Sequence, residues 1–79
     1  MKLDHLRYFD RLADMLSYTN AAKSLYIAQP TLSAAIKRME QEVGLTLFRR
    51  AEGVASGVEL TEQGRIFHEY VVQALERYD

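Results

Sequence analysis

The stretch from Thr19 to Val43, TNAAKSLYIAQPTLSAAIKRMEQEV, constrains the fold more than any other part of the chain. It predicts two short helices joined by a tight turn at Tyr26-Ile27-Ala28. The first carries Ala21-Ala22, and two steeply crossing helices approach closely only where no bulky side chain intervenes. The second opens with Gln29-Pro30, and Pro costs nothing in a first turn, where its missing N–H has no intrahelical partner anyway. Gly44 closes it as a left-handed C-terminal residue. Such a pair is a helix-turn-helix, whose second helix can enter a DNA major groove.

Seventy-nine residues permit one domain with a small core and no enclosed cofactor pocket of any size. Hydrophobic content of 48% and charged content of 27% fit a folded chain rather than a disordered one. The absence of Cys excludes disulfides and thiolate metal sites, and agrees with a cytoplasmic protein. Charged residues at the N-terminus and no uninterrupted apolar run argue against a signal peptide or a membrane span.

Formal net charge is −1, yet its distribution is uneven. Residues 1–22 balance, residues 23–50 carry +3 and residues 51–79 carry −4. The positive part coincides with the helix-turn-helix and the segment C-terminal to it, the expected footprint of a phosphate backbone. A solvated surface of uneven charge accounts for it equally well.

Four helices are expected. The first runs from Asp4, as N-cap, to about Met15, with Leu6, Phe9, Leu12, Ala13 and Leu16 on its inward face. Ser17-Tyr18 is a short connection, and Thr19 caps a second helix through about Leu25 with Ala21, Ala22 and Leu25 inward. The third spans about Gln29 to Val43. Leu32, Ile36, Met39 and Val43 share one face; Pro30, Ala34, Lys37 and Gln41 share the opposite one, flanked by Ser33 and Arg38. Leu45 to Arg50 and Val58 to Leu60 predict two short extended segments around a loop tip at residues 51–57. Thr61 caps a final helix reaching about Tyr78. The distal half of its wide stripe of Ile66, Phe67, Tyr70, Val71, Ala74, Leu75 and Tyr78 exceeds what a three-helix core can cover, which points to a dimer interface; a fourth helix packed wholly on its own core is the plainer alternative.

Ala21-Ala22, Gln29-Pro30, Leu32-Ser33, Ile36, Glu40 and Gly44, continued by Leu47-Phe48, Leu60-Thr61 and Gly64, resemble the N-terminal domain of LysR-type transcriptional regulators. The resemblance covers nearly the whole chain from Leu3. It implies a mainly α winged helix-turn-helix: a three-helix core and a β-ribbon wing over residues 1–60, with the helix-turn-helix at about 18–37. Residues 61–79 would form a long linker and dimerisation helix. It further implies sequence-specific binding of double-stranded promoter DNA by a homodimer, with a tetramer in the full-length protein. A small-molecule effector would bind only a further domain, absent from this chain. Three departures stand out: Ala28 replaces the usual Ser at the third helix's cap, Ala34-Ala35 replace polar or basic residues, and the wing is longer and carries Glu52.

On this reading Gln29 is placed to contact adenine through its amide, with Pro30, Thr31, Ser33 and Ala34 facing the groove. Ala34 offers only a methyl contact, for example to thymine. Lys37, Arg38 and Thr19 are assigned to phosphate, with a guanine edge the alternative for one of Lys37 and Arg38, and Arg49 and Arg50 to backbone or minor groove. Each has a plainer role open to it, as a capping or solvated residue. A protein-interaction module on the same fold, without DNA binding, is the alternative, motivated by the net acidity and the Ala34-Ala35 pair. His5 and His68 lie far apart with no second ligand at metal spacing, so neither a metal site nor a cofactor is expected. No acid/base pair or phosphate loop suggests an enzyme.

Overall fold

The computed structural model describes residues 1–78. Helix α1 (Leu3–Met15) is followed by α2 (Tyr18–Leu25), α3 (Gln29–Val43), strands β1 (Phe48–Arg50) and β2 (Val58–Leu60), and α4 (Glu62–Glu76). The apolar periodicities of the helices converge on one core. Phe9, Leu12, Ala21, Leu32, Ile36, Met39, Leu47 and Val71 are all but sealed from water, and among the described residues no polar or charged one is buried with them. Helices α1, α2 and α3 pack on one another, and α4 lies back on α1.

The ends of the helices differ from the sequence expectation in detail. Asp4 is not the N-cap of α1; Lys2 holds that place without a side-chain bond, and Asp4 sits in the first turn, where its charge favours the helix dipole. Leu16 leaves the inward face because it ends α1 in the left-handed conformation (φ 54°), which turns it out to 41% exposure. Ser17, not Thr19, caps α2, accepting from the Asn20 N–H at 3.2 Å. Tyr18 therefore opens α2 rather than linking to it. Tyr26 ends α2 at φ 59°, with the Ile27 N–H returning to the Ala22 carbonyl.

Strands β1 and β2 pair antiparallel, with Phe48 opposite Leu60, Arg49 opposite Glu59 and Arg50 opposite Val58. The ribbon is anchored to the α1–α2 connection: Ser17 bridges Gly57, the Tyr18 N–H meets the Ser56 carbonyl, and the Val58 N–H meets the Leu16 carbonyl. Leu47 anchors the segment before β1, whereas Leu45 is 44% exposed and anchors nothing.

One carboxylate organises the passage from α3 to the wing. Glu40 Oε2 accepts the Leu47 N–H at 2.7 Å and the Phe48 N–H at 3.2 Å, while the Glu40 carbonyl accepts from Gly44 and Leu45. Burial first, and this carboxylate second, push the nearby Tyr18 phenol above its ordinary range. Thr61 begins α4, as the sequence implies: its hydroxyl accepts from the Gly64 N–H and donates to the Thr46 carbonyl at 2.6 Å. Helix α4 ends at Glu76, slightly short of Tyr78.

Candidate nucleic-acid interface

The core face of α3 is fixed by Leu32, Ile36 and Met39, and the helix period then dictates what faces out. Gln29, Pro30, Thr31, Ser33, Ala34, Lys37, Arg38 and Gln41 are all exposed. Ala35 is not part of that surface: it is 6% exposed, turned toward the core one helix position round from Ala34. The outward face is thus less apolar than an Ala34-Ala35 pair suggests. Ala28 caps α3 without a side-chain bond, as its methyl group requires.

The start of α3 is tied to two other elements. Thr19, in the first turn of α2, donates its hydroxyl to Gln29 Oε1 at 3.2 Å. The Thr19 and Ser56 hydroxyl oxygens lie 3.0 Å apart, and Ser56 lies 3.5 Å from the Ser17 hydroxyl. The amide of Gln29 is therefore oriented: Oε1 is directed at Thr19 with one lone pair to spare, and the two N–H donors of its other atom point away. An amide fixed in this way can match the adenine edge, which needs one donor and one acceptor side by side.

Cations surround this face. Lys37 and Arg38 pair with no carboxylate among the described residues. Together with Lys2 and His5 at the start of α1, Ala34 and Gln41, they line a groove that the nearly buried Ala35 only touches. Glu42 lines the same groove, with its carboxylate paired to the N-terminal ammonium at 3.5 Å. On the wing the two arginines differ. Arg49 Nε binds Glu59 Oε1 at 2.7 Å across the ribbon, so its charge is largely answered locally. Arg50, opposite Val58, is exposed and has no such partner among the described residues.

Lys2 and Ser56 escaped the sequence reading. Lys2 reaches the groove only because α1 packs against α3, and nothing local to it signals that. Ser56 reads as a loop-tip residue; its approach to Thr19 depends on how the whole wing folds back.

The exposed apolar residues of α4 are fewer than its stripe implies. Val71 and Leu75 are 2% and 7% exposed and belong to the chain's own core, and Phe67 and Ala74 are half-buried. Ile66, Tyr70 and Tyr78 stay exposed, at 43%, 65% and 68%.

Residues 3–65 match the family described as bacterial regulatory helix-turn-helix protein, lysR family. The chain belongs to the LysR family. It is 54% identical over 69 residues to the HTH-type transcriptional regulator BudR of Klebsiella aerogenes, covering 87% of this chain and 46% of that protein. It is 39% identical over its full length to BenM of Acinetobacter baylyi, of which it spans 25%. The crystal structure of the BenM DBD/catB site 1 DNA complex shares the fold with a TM-score of 0.89 at 40% identity, covering 100% of this chain and 82% of that one. The CbnR DBD–DNA complex gives 0.90 at 31% identity, with 99% and 86% covered. This LysR-family chain is thus a mainly helical winged helix-turn-helix, and no helix of its described residues is long and apolar enough to cross a membrane.

Proposed function

We propose that this chain binds double-stranded DNA sequence-specifically, as the DNA-contacting part of a LysR-type transcriptional regulator working in the bacterial cytoplasm. The observation that carries the reading is the outward face of α3, which joins an oriented Gln29 amide to Lys37 and Arg38, cations unanswered within the described residues. DNA complexes of relatives with the same fold support it. Residues 1–60 form the DNA-binding unit and residues 61–79 the linker and dimerisation helix.

Gln29 reads a base edge. Pro30, Thr31, Ser33 and Ala34 face the DNA major groove, Ala34 contributing only its methyl group. Lys37, Arg38 and Thr19 hold phosphate, with Arg50 reaching the backbone from the wing and Arg49 contributing less because Glu59 occupies it. Two copies dimerise through Ile66, Tyr70 and Tyr78, with the half-buried Phe67 and Ala74 at the margin. Val71 and Leu75 act behind this surface by seating α4 on its own core.

Selection from a randomised duplex pool at low salt tests this. A defined sequence should emerge, and its affinity should fall steeply with salt as counterions are released. Lys37→Ala and Arg50→Ala should weaken binding to all sequences and each lower the salt slope by about 1, whereas Gln29→Ala should change the base preferred at one position. Failure to retain any duplex at low salt would sink the reading and favour a protein-interaction module.

A further inference from the structure

Asp10 and Asp14 stand one helical turn apart on α1, so their carboxylates lie on one face. Helix α4 packs against that helix and brings His68 to the same face, with Nε2 2.9 Å from Asp10 Oδ1. One ligand-capable atom from each of the three residues lies within 4.8 Å of the other two. The His68 ring is backed by Phe9, whose ring centroid is 5.8 Å away, so the imidazole is supported on its core side. Asp10 and His68 are half-buried and Asp14 is exposed, which leaves the seam open to solvent on one side.

We propose that this seam between α1 and α4 is a binding site for a divalent first-row transition metal such as Zn2+, with His68 Nε2 and one oxygen from each of Asp10 and Asp14 as ligands. An imidazole with two carboxylates suits zinc and its neighbours in the first row; magnesium and calcium favour all-oxygen sites. Three protein ligands leave the remaining positions to water. Bond lengths of about 2.0–2.2 Å need the donors drawn somewhat closer than their present limit, which side-chain rotation supplies. His68 coordinates through Nε2 as the neutral imidazole with its remaining proton on Nδ1, exchanging its bond to Asp10 for one to the metal. A bound ion cross-links α1 to α4 and fixes the direction in which α4 leaves the domain. This site stands independently of the DNA-binding reading.

Thermal melts and calorimetric titration of the full 79-residue chain with ZnCl2 test it, with CoCl2 as a spectroscopic probe. Zn2+ at tenfold its dissociation constant, expected at or below about 1 mM, should raise the melting midpoint by about 5 °C or more. Co2+ should develop ligand-field absorption, and the His68 ring resonances should shift while those of His5 do not. Asp14→Asn should abolish these responses and leave the metal-free midpoint unchanged, because Asp14 is exposed. His68→Gln should do the same while keeping a donor toward Asp10, and if it fails to fold, Asp14→Asn decides alone. Absence of binding at millimolar Zn2+, or binding that survives Asp14→Asn or moves the His5 resonances instead, would overturn the proposal.

Discussion

Glu40 shows how much one side chain can settle. Its carboxylate satisfies two backbone N–H groups, of Leu47 and Phe48, at the bend that leads into β1. Removing it leaves both donors without their acceptor in a part-buried place. Glu40→Ala should therefore destabilise the chain by about 2–3 kcal/mol, a drop of roughly 10 °C or more in the melting midpoint, with Glu40→Gln losing less. In the sequence Glu40 is legible only as an acidic residue in a family-like run and as one of two charges offsetting the basic stretch. Its partners lie seven and eight positions on, across a turn whose path no local pattern specifies. The same limit hid the Thr19–Ser56 approach. Gln29, Ser33, Lys37 and Arg38 were legible as a face because helical period alone places them there.

At the level of elements, bounds were legible where conformational chemistry is unambiguous. Pro30 and Gly44 bracket α3, and its observed span matches the expectation. Ser17 and Thr19 both carry hydroxyls able to cap, and the expectation of Thr19 fails because the bridge from Ser17 to Gly57 holds Ser17 at the helix start. Gly64 is a poor helix former inside a helix. It is there because α4 crosses the Leu47 backbone so closely that an added Cβ would collide with the Leu47 carbonyl. The same carbonyl accepts the Thr61 N–H at 3.0 Å, so helix start and crossing strand share one contact. Backbone cannot yield as a flexible side chain would. Gly64→Ala should cost about 1–3 kcal/mol despite alanine's better helix propensity, seen as a lower denaturant midpoint with an unchanged slope.

For the molecule as a whole, the charge segregation visible in the sequence becomes a division of surfaces. Lys2, Lys37, Arg38, Arg49 and Arg50 lie at the start of α1, on α3 and on the wing, while on α4 Arg65 reaches both Glu62 and Glu69 within the helix. The dimer stripe was only partly legible, since periodicity marks apolar positions without saying whether the chain or a partner covers them. If Ile66, Tyr70 and Tyr78 seat a second copy, sedimentation should show a dimer that Tyr70→Lys converts to monomer without lowering the melting midpoint measured at low concentration. A wild-type monomer at high concentration would count against that interface.

Phe9, fully buried on α1, has its ring centroid 5.1 Å from that of Phe48 at the start of β1 and 5.1 Å from that of Phe67 on α4. Wing and linker helix thus rest on one ring, and neither can peel away without opening a void beside it. Sub-global opening should be scarce here. The amides of Leu47, Phe48 and Val71 should exchange with deuterium at the free energy of complete unfolding, while those in the loop before Ser56 exchange far sooner.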